Sequence, residues 1–145
     1  MFKHILLPTD GSELSAAAIQ QGIRFAKSIG AKVTGLCTMP KQHAFSCDTA
    51  VPPEVFELVA KRCLAQADVN LAVIDKTAKE AGVPCSLVYE TNDNPHEAII
   101  RVADQKGCDL IMMASRGRRG IGALLLGSET QKVLTHSKIP VLVYH

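Results

Sequence analysis

The 145-residue sequence predicts an α/β fold: a doubly wound, five-stranded, mostly parallel sheet with helices on both faces. Three observations carry this. Five short apolar runs alternate strictly with four helical segments, the pattern of βα units that wind a parallel sheet. Three of the helical segments end on a glycine, the usual left-handed stop. The two stretches with unusual chemistry follow the first and fourth strands. An order of 3-2-1-4-5 makes those strand ends neighbours at the switch point, where ligands bind in such folds.

Lys3-His-Ile-Leu-Leu-Pro8 reads as the first strand, and Thr9-Asp-Gly-Ser12 as the turn after it. Ser12 and Ser15 are alternative caps for a helix whose Ala16, Ile19, Ile23, Ala26 and Ile29 recur at three- and four-residue spacing to about Ser28. Gly30 stops it, and Ala31 to Thr38 is the second strand. Residues 39 to 53 carry three prolines and no period, a surface loop long enough to suggest function or mobility. A long helix from about Pro53 to Glu80 places Val55, Val59, Cys63, Ala67, Leu71, Ile74 and Ala78 on one stripe, which makes Cys63 a core residue.

Gly82 ends that helix, and Pro84 to Glu90 is the third strand. Asn94-Pro-His-Glu97 has a cap, a proline at the first helical position and a capping-box glutamate. Ile99, Ile100, Val102 and Ala103 are its buried side, Gly107 its stop, and His96 is expected to be solvated. Cys108 to Ala114 is the fourth strand. A loop with Gly117, Gly120, Gly122 and Gly127 and with Arg116, Arg118 and Arg119 follows it. Ser128-Glu-Thr-Gln131 repeats the capping-box pattern ahead of a short helix to about His136, and Ile139 to Tyr144 is the fifth strand.

Composition narrows the function. A hydrophobic share of 47% with 21% charged residues is that of a soluble globular chain, and no repeat or linker divides it, so one domain spans 1–145. A net charge of +2 and the absence of Trp give no platform for nucleic acid. The apolar start is too short for a signal peptide or a membrane span, so a cytoplasmic location is expected. Five scattered cysteines without a C-x-x-C read as reduced thiols. His43 and Cys47 lack the second ligand pair that a zinc site needs, and Cys47 is the thiol expected to be exposed.

A strand end, a Gly- and Arg-rich loop and a helix amino terminus are the parts of an anion site, because free N–H groups and a positive dipole end converge there. The expected cleft sets one carboxylate, Asp10, across from that loop. Gly122 to Ser128 has the glycine spacing of a P-loop without its lysine, and Leu125 stands where G-x-G-x-x-G needs its last glycine. Neither signature is met.

The residues nonetheless resemble the universal stress protein family along the whole chain. Ile5-Leu-Leu-Pro-Thr-Asp-Gly-Ser12 is similar to that family's opening strand and turn. Ala114-Ser-Arg-Gly117, nine residues and Gly127-Ser128 resemble its nucleotide motif G-x2-G-x9-G-[ST], and Ile139 to Val143 its closing strand. The resemblance implies the 3-2-1-4-5 sheet (Rossmann-like, of the adenine nucleotide α-hydrolase type), ATP binding with or without magnesium, and a homodimer through Val141–Tyr144. Carried over by position, Asp10 meets the ribose or the adenine end, and Pro8 and Thr9 line the pocket. Thr38 and Met39 lie along the adenine, and Met113 and Ala114 flank the sugar. Gly117, Gly127, Ser128 and the Glu129 backbone take phosphate oxygens. Arg116, Arg118 and Arg119 lie beside this path, and charge and position direct one of them to the terminal phosphate. Gly120 and Gly122 serve the turn.

Two positions depart from the family pattern. Ala114 replaces the motif's first glycine, which is tolerable where φ stays negative. Glu129 puts an acidic side chain beside the phosphate path. The resulting reading is an ATP-binding regulatory homodimer with slow or no hydrolysis. The alternatives are a same-fold stress or partner-binding protein without nucleotide, and a nucleotide-dependent hydrolase. Against the hydrolase, the motifs supply no general base besides Asp10 and no second carboxylate for a metal pair.

Overall fold

The computed structural model describes residues 1–41, 51–117 and 125–145. Five strands, β1 (His4–Thr9), β2 (Lys32–Met39), β3 (Cys85–Thr91), β4 (Leu110–Ala114) and β5 (Val141–Tyr144), alternate with four helices. The helices are α1 (Glu13–Ile29), α2 (Pro53–Ala81), α3 (Pro95–Lys106) and α4 (Ser128–His136). All strand pairings are parallel, and the order is β3-β2-β1-β4-β5, as the sequence predicts.

Alternation along the strands divides the interior into two layers. Ile5, Leu7, Val33, Leu110 and Met112 point to α1 and α2, where Ile19, Ile23, Ala67, Leu71 and Ile74 meet them. Leu6, Leu36, Ile111 and Met113 point the other way, onto Ile99 and Val102 of α3 and Val133 of α4. β1 is central and apolar on both faces, as a doubly covered strand must be. Gly30, Gly82 and Gly107 cap α1, α2 and α3 at positive φ, each with its N–H on carbonyls of the last turn. No described helix is long and apolar enough to cross a membrane.

Several local expectations are corrected. Of the two serines offered as α1 caps, Ser12 takes the role, its hydroxyl accepting from the Ser15 N–H. α4 begins one residue earlier than its sequence suggests: Gly127 is the cap and Ser128 the first helical residue. The capping box there does not form, because the Gln131 amide donates to the Leu126 carbonyl instead. At α3, Asn94 caps without a side-chain bond. Its own N–H donates to the Asn92 amide oxygen, which replaces the Glu97 carboxylate as the acceptor the capping box requires. Ile100 is only half-buried, and Ala98 takes its place in the core.

The α2 stripe is buried only in its second half. Ala67, Leu71, Ile74 and Ala78 are covered, whereas Val55 and Val59 are each 44% exposed and Cys63 is half-buried. Length explains this. A 29-residue helix spans about 43 Å and the eight-residue β2 about 26 Å, so the first turns of α2 rise beyond the carboxyl end of the sheet.

Candidate functional site

The carboxyl ends of β1, β2 and β4 open into one cleft of about 520 Å³ on the α3/α4 side of the sheet. At the end of β1, the Thr9 hydroxyl accepts from the Gly11 N–H and from Ser15 Oγ. Asp10 Oδ1 accepts from the Ser12 N–H at 3.0 Å. These bonds fold the Thr9–Ser12 turn back on itself and fix the Asp10 backbone at the cleft floor.

Across the floor, β4 ends in Met113 and Ala114, both buried. The Thr130 hydroxyl of α4 donates to the Ala114 carbonyl at 3.0 Å, and the Gly127 N–H donates to the Ser115 carbonyl at 2.7 Å. The loop that leaves β4 therefore returns to its own starting point before α4 begins. Two glycines make this closure sterically feasible. A Cβ at Gly127 would lie 3.1 Å from Arg116 Cα, and one at Gly117 would lie 2.3 Å from Asp10 Oδ2. Gly117 is thus the place where the β4 loop and the Asp10 carboxylate press together. Ala114 keeps a negative φ, since every positive φ among the described residues belongs to a glycine. The alanine fits its strand end without strain.

Of the residues singled out from sequence, Pro8, Thr9, Asp10, Thr38, Met113, Ala114, Arg116, Gly117, Gly127, Ser128 and Glu129 all line this cleft. Met39 does not. Period-two alternation turns its side chain to the α1/α2 core, and its carbonyl accepts from the Asn92 N–H. Arg118, Arg119, Gly120, Gly122, His43 and Cys47 lie outside the described residues. The sequence reading also missed part of the wall. Pro40, Asn92, Asp93, Pro95 and Ile99 line the cleft from the ends of β2 and β3 and the start of α3. Asn94-Pro-His-Glu97 was legible as a helix start, but Asn92, Asp93 and Pro95 were not legible as a wall, because their place depends on β3 lying next to β2. Asp93 Oδ1 accepts the Lys41 N–H at 2.9 Å and ties the two strand ends together. Asp93 joins Asp10 and Glu129, both placed here from sequence, as a third carboxylate of the cleft.

Two helix amino ends meet here, and they differ. At α3, the Glu129 carboxylate accepts the His96 N–H at 2.8 Å and the His96 ring at 3.0 Å. Lys132 Nζ lies 3.3 Å from its other oxygen. Partial burial pushes the Glu129 carboxyl up, but hydrogen bonds from the His96 backbone and ring, with Lys132, outweigh it and hold the group below the usual carboxylate range. His96 is therefore not the solvated residue expected: its side chain is 15% exposed and paired. At α4 the cap residue is Gly127, which has no side chain to bond the first-turn N–H groups, and Ser128 and Glu129 open that helix on the cleft wall. A helix start facing a cavity in this way is suited to a phosphate. Among the described residues there is no group of three or more His, Cys, Asp or Glu placed to hold a metal ion.

A five-stranded doubly wound parallel sheet with a cleft at its switch point defines the class: a Rossmann-like α/β fold. Comparison with known proteins narrows the class to a family. The model of the universal stress protein family matches residues 1–145, and the chain belongs to that family. It is 31% identical over 144 residues to universal stress protein MJ0531 of Methanocaldococcus jannaschii, covering 99% of this chain and 82% of that one. The solved structure of MJ0577 superposes with a TM-score of 0.82 at 29% identity, covering 99% of this chain and 95% of that one. A universal stress protein solved in complex with cAMP shares the fold at a TM-score of 0.71 and 23% identity, covering 99% of this chain and 97% of that one.

Proposed function

We propose that this chain is a regulatory protein that binds ATP, with or without magnesium, in the switch-point cleft and acts as a homodimer with slow or no hydrolysis. The observation that supports it most directly is the amino end of α4, capped by a glycine with no side chain, at the closed base of the β4–α4 loop, with the Asp10 carboxylate across the floor. A cavity of about 520 Å³ is of a size that suits a nucleotide. In this reading the apolar wall of Pro8, Ile99 and Met113 takes the base, with Thr38 at its edge. Asp10 takes the ribose, and the N–H groups of Ser128 and Glu129 with the Ser128 hydroxyl take phosphate oxygens. Arg116 is placed to meet the phosphate tail. Family membership and the cAMP-bound relative support an adenine nucleotide as the ligand.

Slow or absent hydrolysis fits the carboxylates. Each carboxylate already holds a donor: the Ser12 N–H on Asp10 Oδ1, the Lys41 N–H on Asp93 Oδ1, and His96 with Lys132 on Glu129, which supports a binding role over a hydrolytic one.

The test is a melting titration with Mg-ATP. Ligand at about 100 times its dissociation constant stabilises by roughly 2.7 kcal/mol. For a domain of this size the melting temperature should rise on the order of 6–13 °C. No rise at millimolar ATP would leave a partner-binding protein of the same fold. Phosphate release at several turnovers per minute would make it a hydrolase.

A further inference from the structure

The second helix amino end in the cleft, that of α3, is already occupied by an anion of the protein's own. Glu129 is the second residue of α4, so its backbone and its side chain face different tasks. The backbone N–H belongs to the helix end offered to phosphate. The carboxylate crosses to α3 and is fixed by the His96 N–H at 2.8 Å, the His96 ring at 3.0 Å and Lys132 at 3.3 Å. It is 34% exposed and lines the cleft. A carboxylate, countered on one oxygen by the partly exposed Lys132 ammonium, therefore stands beside the helix end offered to phosphate, with three contacts opposing its withdrawal.

We propose that Glu129 is a specificity-determining residue of the nucleotide site, which penalises each added phosphate charge and so narrows or reverses the preference for ATP over AMP. The proposal rests on the nucleotide reading above. Its basis is Coulombic. An adenylate with a single phosphate places its charge on the α4 amino end and is opposed by Glu129 once. A triphosphate tail brings further charges into the same corner, and each is repelled in turn. At a separation of about 6 Å in a solvent-like dielectric, each added unit charge weakens binding by about threefold, and by more where water is excluded. Glutamine at this position keeps the shape and an acceptor oxygen for the His96 N–H but carries no charge.

Dissociation constants for AMP, ADP and ATP are measured by calorimetry in low salt with chelator, for the native protein, Glu129→Gln and Glu129→Ala. The expected result is that both variants gain affinity for ATP by about tenfold or more relative to their own AMP values, with ADP in between. Taking each ratio within one protein cancels a general loss of folded molecules. Equal shifts for all three ligands, or a loss of ATP affinity relative to AMP, would overturn the specificity role while leaving the nucleotide reading in place. Failure of all three proteins to bind any adenylate would instead remove the nucleotide reading, and this inference with it.

Discussion

His4 shows how a single buried polar residue links the fold to pH. It begins β1 at the end of the sheet away from the cleft, 7% exposed, with Nε2 2.7 Å from Thr34 Oγ1. Thr34 Oγ1 in turn lies 2.9 Å from Ser86 Oγ, so the chain of polar contacts crosses β1, β2 and β3 beneath α3. Asp109 accepts the N–H groups of Lys3 and His4 alongside it. Desolvation, reinforced by the nearby Lys32 charge, lowers the His4 pKa from its ordinary 6.5, against an opposing pull from Asp109. The sign follows from linkage. The unfolded chain takes up the proton first, so His4 contributes its full stability above pH 6.5 and loses it as the pH falls from there toward the lowered folded value. Urea midpoints should decline between pH 7 and pH 5, and the decline should be smaller in His4→Gln, which leaves no group to titrate there. Asp109 and Glu129, both held below the usual carboxylate range, lose their contributions only at lower pH, as it falls through their folded values, so the two windows separate. A midpoint difference equal in His4→Gln and the native protein would remove His4 as the cause.

At the level of elements, the base of the β4–α4 loop is the part most exposed to substitution. Gly127 donates to Ser115 and backs onto the Arg116 main chain, so valine there drives branched carbons into backbone that cannot give way locally. Gly127→Val should abolish the Mg-ATP melting shift while costing about 1–3 kcal/mol of stability, the usual penalty of overpacking. A variant that keeps the shift would show that loop closure does not support the site. These elements also show which parts of the structure the sequence revealed. The alternation of apolar runs with amphipathic segments specified the sheet order, because each strand's burial and each glycine stop are local signals. The cleft's position followed, since Asp10 and Gly117 flank the one pair of strands that the winding rule brings together. Local signals failed where tertiary partners outbid them. Ser128 reads as a cap, but Gly127 is already pinned to Ser115, and that contact spans twelve residues. Glu129 reads as a first-turn acid, but its partner is the amino end of a helix 33 residues earlier. The Asn92–Pro95 wall needed the β2–β3 pairing before it could be seen.

The molecule as a whole has two sheet edges, β3 and β5, and they raise the question of how the protein is assembled. β5 has four residues, paired to β4 from Ile111–Val141 to Ala114–Tyr144. The Pro140 and Tyr144 carbonyls accept from Ile111 and Ser115, which turns the intervening Val141 and Val143 backbone groups outward. Leu142 is 39% exposed, and no β5 residue is fully buried. An apolar strand with unpaired donors and acceptors at an edge is a template for pairing, and a second copy covers it at least cost in symmetry. The homodimer proposed above would form here, two β5 strands running antiparallel across a two-fold axis. The prediction is a dimer by light scattering at tens of micromolar. Val143→Pro removes one outward N–H without touching the bonds that β5 makes to β4, a position where an edge strand tolerates proline. That variant should halve the mass while retaining a cooperative melt. If the native protein is already a monomer at that concentration, β5 is not the interface. A Val143→Pro variant that stays dimeric would place the contact elsewhere, with β3, the longer edge at seven residues, as the surface to test next.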